Sequence, residues 1–306
     1  MSSGKSITSE TAMIQRTPYA DALTYAIMAA GLLLLIGPFI VVISGASQTV
    51  QQVNSVPFSF MPQGEFFTNA QAAWQRANLG NALFNSIIMA TLVTIGKVAL
   101  SAFTAFAIVF FRSPLKHLFF WTVFITLMLP LEVRVVPTYS VAADLFQPFR
   151  SILGLFGIEV TLEWNLLNSY AGLTLPLIAT ATGTFLYRQF FMTIPDELAE
   201  AARMDGSGAA RFFVDMLLPL SRTNMLALTT IMFVYAWNQY LWPLLMVTDP
   251  SYKTVMMSLR ALLPADDGTP DWNVTLAGSL IIILPPLLVV AFLQRWFVRG
   301  LVSSDK

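Results

Sequence analysis

The chain has no cysteine and a single histidine, His117. The first absence excludes disulfides, thiolate metal sites and a cysteine nucleophile. The second excludes a metal site built from several histidines of this chain. Charge is scarce too: Asp, Glu, Lys and Arg make up only 11% of the 306 residues, against roughly a quarter in an average soluble chain. The 17 basic and 17 acidic residues cancel, so no global basic field marks a nucleic-acid partner. What remains is apolar, with 56% hydrophobic residues. A chain this poor in charge turns much of its surface toward lipid.

The apolar residues come in long runs. A helix needs about 20 such residues to cross a bilayer. Six stretches qualify as expected spans: Ala22–Ser44, Asn81–Phe110, Leu118–Ser140 (interrupted by Pro130 and Pro137), Tyr170–Phe191, Thr223–Val247 and Trp272–Leu293. The first is longer than a signal-peptide core and reads as a retained span or an uncleaved signal-anchor. The expected fold is therefore an all-α polytopic membrane protein with six transmembrane helices. Residues 1–20 read as a polar cytoplasmic tail, and 21–306 as one membrane domain. Trp74 and its polar neighbours suggest a short interfacial helix before the second span.

Lysine and arginine set the orientation. With the N-terminus in the cytoplasm, that side holds Lys5, Arg16, Arg112, Lys116, Arg188, Arg203, Arg211, Arg222, Arg295, Arg299 and Lys306. The other side holds Arg76, Arg150, Lys253 and Arg260. The positive-inside rule then places both termini in the cytoplasm.

One polar stretch stands apart, at about 188–222 between the fourth and fifth expected spans. Pro195 can start a helix, and Asp196 and Glu197 suit its first turn. Gly206 and Gly208 permit a sharp turn or a close backbone approach. A second helix can begin near Ala209, and Pro219 marks entry to the fifth span. The orientation places this stretch in the cytoplasm as a small-surfaced helix able to dock into a soluble partner.

Glu200-Ala201-Ala202, then Gly206, then Leu218-Pro219 resembles the EAA loop of ABC-importer permease subunits, of the form EAA-x3-G-x9-I-x-L-P. Met216 stands at the isoleucine position and keeps its volume and apolar character. Ile194 to Leu198 and Ala236 to Pro243 are similar to the carbohydrate-uptake branch of that family. Phe124 to Arg134, Arg188 to Thr193 and Phe297 to Val302 resemble members that import sn-glycerol-3-phosphate. The likeness spans about residues 20–306.

The resemblance implies a non-catalytic permease subunit of the bacterial inner membrane. It implies a second homologous permease subunit, two ATPase subunits that bind ATP and Mg, and a periplasmic substrate-binding protein as partners. No cofactor is expected in this chain, and membrane lipid surrounds it. Glu200, Ala201, Ala202, Arg203, Asp205, Gly206, Leu218 and Pro219 are the expected ATPase-coupling residues, with Glu200 facing the ATPase groove. The implied substrate is sn-glycerol-3-phosphate or a glycerophosphodiester, with an oligosaccharide or other sugar as the alternative. An ion-coupled secondary transporter is the rival of a different class, and it would need no ATPase.

The chain lacks its own ATP site. A phosphate-binding loop needs GxxxxGK[ST], but Val98 follows Gly96-Lys97 and residue 91 is Thr. Glu132 and Arg134 fall within the third expected span, where charge is costly unless paired or hydrated. Arg134 suits a substrate phosphate, and a structural ion pair with another span or with the partner permease is the other reading. Lys97 reads as a snorkelling or structural residue. Asn238, Gln239 and Tyr240 form a polar patch in the fifth expected span, suited to a hydroxylated substrate or to gate packing. The phenylalanines read as packing or lipid-facing residues, and His117 as incidental.

Overall fold

The computed structural model describes residues 18–158, 161–263 and 271–302. Residues 1–17 of the expected 1–20 tail, Lys306 and the acidic loop residues Asp266 and Asp267 lie outside this set, as do the side chains of Glu132, Arg295 and Arg299, while residues 18–20 already belong to the first helix. Among the described residues the secondary structure is helical, without a strand.

Three helices among the described residues are unbroken, apolar and long enough to span a bilayer. They are α1 (Pro18–Ala46), α3 (Leu79–Phe110), which follows the short α2 (Phe66–Arg76), and the last helix, Trp272–Val302. The third, fourth and fifth expected spans are each broken, so six is not a count of continuous helices. The expected third span becomes α4 (Lys116–Met128) and α5 (Leu131–Ala143). Pro130 causes this break: it forces Leu129 out of the helical region, to φ −61° and ψ 130°, through the clash of its ring with the preceding residue. Pro137 does not break α5, which continues through it. The expected fourth span becomes α6 (Tyr170–Thr174), a 3₁₀ turn at Leu175–Leu177 carrying Pro176, and α7 (Ala181–Phe191).

The fifth expected span, Thr223–Val247, is also corrected. After α8 (Asp196–Met204) and α9 (Ala209–Phe212), the chain passes a wide π turn at Phe213–Leu217 and bends by 76° into α10 (Arg222–Trp237). It leaves the helix at Asn238 and resumes as α11 (Leu241–Met246). Pro243 explains the interruption, because its ring would collide with the Gln239 carbonyl four residues back in a continuous helix. Asn238, Gln239 and Tyr240 are thus a helix-end linker, not one face of a span. α12 (Val255–Leu262) and α13 (Trp272–Val302) complete the chain.

α3 lies at the centre, packed on α7 and α10, and α10 packs on α13. α1 meets chiefly α13, leaving Leu23, Leu33, Leu34 and Leu35 exposed, as expected of a helix facing lipid. Polar groups tie one end of the bundle. Asn69 of α2 donates to the carbonyls of Ala46 and Gln48, and accepts from Asn273 of α13 at 2.7 Å. Asn85 of α3 donates to the carbonyls of Ser251 and Lys253, and Arg76 pairs with Asp271. The 188–222 stretch lies at the opposite end, where α3 and α7 finish and α10 begins. This topology separates the two basic sets: Arg112, Lys116, Arg188, Arg203, Arg211 and Arg222 at one end, and Arg76, Arg150, Lys253 and Arg260 at the other.

Candidate functional site

The 188–222 stretch folds locally as its sequence dictates. Pro195 caps α8 with an extended backbone, and Asp196 and Glu197 occupy the first turn with Arg203 in the last, each matched to the helix dipole. Gly206 closes the helix at φ +72°. Its N–H donates to the Arg203 carbonyl at 3.0 Å, and the Ser207 N–H to the Ala202 carbonyl at 2.9 Å. These two bonds make the Schellman closure, for which glycine is preferred because it alone adopts this conformation freely. Gly208 plays a different part. It has ordinary extended φ −73° and ψ 165° and begins α9.

The three motif residues point in different directions. Glu200 is exposed, Ala201 half-buried and Ala202 buried, with 1% of its surface exposed. Ala202 joins a core cluster with Phe106 of α3, Tyr187 and Phe191 of α7, and Phe212, Phe213 and Leu217. Phe106 and Phe213 have ring centroids 5.0 Å apart, Phe110 and Phe212 5.3 Å, and Phe110 and Phe191 6.0 Å. Several of the phenylalanines that carry no message in sequence thus form the aromatic bed under α8. A cavity of about 310 Å³ beside the bed is lined by Phe106, Phe110, Arg112, Ala199, Ala202 and Arg203, among others.

The outward side of α8 carries Glu200, Arg203, Asp205 and Met204. Met204 is 84% exposed, an adaptable apolar side chain amid charges. Sequence reasoning passed over it, because an apolar residue at a helix end looks like packing until its direction is known. Leu218 is half-buried and Pro219 exposed, while Leu217, the last residue of the π turn, is fully buried. Ser221 fixes the bend by donating its hydroxyl to the Leu217 carbonyl.

The expected path residues do not form one cluster. Arg134 lies in the opening turn of α5, just past the break at Pro130, not deep within a continuous span. Its Nε is buried without a hydrogen-bond partner. Glu132 precedes it by two residues, and its side chain lies outside the described set. Gln239 Nε2 donates to the Tyr235 carbonyl at 3.4 Å, and Asn238 is exposed at the end of α10. Lys97 does not snorkel. It is 5% exposed, with Nζ 4.5 Å from the centre of the Tyr235 ring.

The profile of the family described as "Binding-protein-dependent transport system inner membrane component" matches residues 97–303. The sn-glycerol-3-phosphate transport system permease protein UgpE of Yersinia enterocolitica is 45% identical, over 96% of this chain and all of that protein. Its namesake from Escherichia coli O1:K1 is 43% identical over the same shares. The crystal structure of a bacterial ABC transporter involved in the import of the acidic polysaccharide alginate contains a chain that superposes with a TM-score of 0.72. That alignment covers 92% of this chain and 97% of the other at 16% identity, a likeness of fold alone.

Proposed function

The chain belongs to the binding-protein-dependent transport inner membrane components, and from that premise we propose that it forms half of the translocation path of an ATP-driven importer for sn-glycerol-3-phosphate. It is a multi-pass membrane permease subunit. A second permease subunit, two ATPase subunits and a periplasmic binding protein complete the machine. The ATPases bind ATP and Mg, and this chain supplies no catalytic group. The end bearing α8 faces the cytoplasm, as do both termini. The substrate assignment is supported by the printed names of relatives that align over their whole length.

The observation that carries the mechanism is the seating of α8. A short helix closed at Gly206 is plugged by Ala202 into aromatics from α3, α7 and the segment leading to α10. An ATPase groove gripping Glu200, Arg203 and Met204 therefore moves those helices with it. Ring contacts among Phe106, Phe110, Phe191, Phe212 and Phe213 join α3, α7 and the segment leading to α10, so a displacement of α8 passes to those helices through packed side chains. The bend at Ser221 and the breaks at Pro130, Ile178–Thr180 and Asn238–Tyr240 divide the bundle into segments that can rotate against one another. Closure of the ATPase dimer pulls α8, the bundle rocks, and the path opens to the loaded binding protein. Arg134 and the Asn238–Tyr240 linker border that path, and Glu132 adjoins it in sequence.

The test is the reconstituted complex in proteoliposomes with its binding protein. Binding-protein-dependent stimulation of ATP hydrolysis by sn-glycerol-3-phosphate, with accumulation of that substrate, is expected. Stimulation by an oligosaccharide alone would replace the substrate. Uptake driven by an ion gradient without ATP would overturn the mechanism.

A further inference from the structure

At the end of the bundle that carries α8, basic side chains from two helices meet in one cavity. It has a volume of about 220 Å³ and is lined by Lys116 and His117 of α4, Arg188 of α7, and Ile108, Val109 and Phe120, among others. Phe120 is buried, and the Arg188 guanidinium carbon lies 4.6 Å from the centre of its ring, an attraction that holds the charge against the apolar wall. No acidic residue among the described residues lines the cavity. Nor does any carboxylate among them pair with Lys116, His117 or Arg188. The positive-inside rule accounts for basic residues at one end of a bundle. It does not require those of α4 and α7 to share one recess.

Helix electrostatics act in the same direction. Lys116 and His117 stand in the first turn of α4, which has no acidic residue. That is the positive end of the helix dipole, where an anion is favoured and a cation is not. Depth follows from helix length. α3 has 32 residues, or about 48 Å at 1.5 Å each, against roughly 40–45 Å for a bilayer with its headgroups. Ile108 and Val109, in its last turn, therefore lie at headgroup level. From the basic residues α4 runs on as the first half of the third expected span, with Leu118, Phe119, Trp121 and Ile125 exposed. A charged recess at headgroup level thus continues into an uncovered apolar strip.

We infer that Lys116, His117 and Arg188 hold the phosphodiester of an anionic phospholipid, whose acyl chains lie along the exposed apolar side of α4. Arg188 offers the planar fork that fits phosphate oxygens, and Lys116 a compact charge beside it. His117 adds a ring N–H donor. Basic recesses between membrane helices recognise such headgroups. A free phosphate would meet the same basic groups but gain nothing from the apolar strip, which is what favours a lipid. A zwitterionic phospholipid brings its own cation into the recess and is disfavoured. The bound lipid ties the start of α4 to the last turn of α7, directly ahead of α8 in the chain.

The test uses the full purified complex, delipidated and titrated with phosphatidylglycerol, phosphatidylcholine or inorganic phosphate, with bound lipid read by native mass spectrometry. Saturable binding of phosphatidylglycerol in preference to phosphatidylcholine is expected. Arg188→Gln or Lys116→Gln should weaken it about fivefold, and the two together about thirtyfold, from the attraction of each basic residue to anionic headgroups. Arg188→Lys should retain more binding than Arg188→Gln. Arg211→Gln, at the same end but outside the recess, is the control and should bind as wild type. Equal affinity for the two lipids, or equal loss in Arg211→Gln, overturns the inference. Displacement of phosphatidylglycerol by equimolar inorganic phosphate makes this a phosphate site and overturns the lipid. A phosphatidylglycerol with a diazirine in its acyl chain needs no variant, and decides the matter if the substituted complexes fail to assemble. Crosslinks to Leu118, Phe119, Trp121 or Ile125 are expected, and crosslinks only elsewhere overturn the site.

Discussion

Replacing Gly206 isolates the backbone term in coupling. Gly206 sits at φ +72°, where a residue with a Cβ is strained by roughly 1–2 kcal/mol. A Cβ built there meets nothing within 4 Å, so no steric clash adds to the strain. Gly206→Ala therefore weakens one thing, the closure of α8 through the Ser207–Ala202 and Gly206–Arg203 bonds. An equilibrium shifted by that strain moves roughly 5- to 30-fold toward an open, undocked α8. Gly206→Asn should cost much less, because asparagine is the other residue commonly found in this conformation. Gly208 is the control. Its backbone is ordinary and its surroundings open, so Gly208→Ala should behave as wild type. The assay is substrate accumulated per ATP hydrolysed in proteoliposomes, normalised to purified complex. The expected order is wild type, Gly208→Ala and Gly206→Asn together, with Gly206→Ala below them. Wild-type coupling in Gly206→Ala, or equal damage from Gly208→Ala, would refute the reasoning.

Two further substitutions probe the packing. Ala202→Leu pushes three carbon atoms into the aromatic bed and should cost about 1–3 kcal/mol by overpacking. Uptake should fall while the subunit still inserts, and a variant with wild-type uptake would show that α8 is not seated where the structure places it. Trp242 is fully buried and donates Nε1 to the Gly172 carbonyl at 3.1 Å. Trp242→Phe removes that donor and should destabilise by about 1–3 kcal/mol, read as a lower melting temperature of the detergent-solubilised complex with the substrate preference unchanged.

Much of this protein is legible from local chemistry. The apolar runs, the separation of basic residues between two ends, and the limits of α8 from Pro195 to Gly206 follow from hydropathy, dipole and backbone rules that act within one stretch of chain. Other features depend on which atoms meet across the bundle. Pro130 and Pro137 look alike in sequence, yet α5 carries one inside it and begins after the other. Asn238, Gln239 and Tyr240 read as one polar patch until Pro243 is seen to end the helix before them. Lys97 looked free to snorkel because its burial depends on α10, whose Tyr235 is 138 positions away in the sequence. The phenylalanines were silent because an aromatic ring has no preferred partner until three helices bring others against it. Hydropathy and local backbone chemistry are enough to give a many-helix membrane protein with a short, charged helix at one end. What that helix presses on, and the burial of Lys97, are settled across the bundle, because packing is set by contacts between residues distant in the chain.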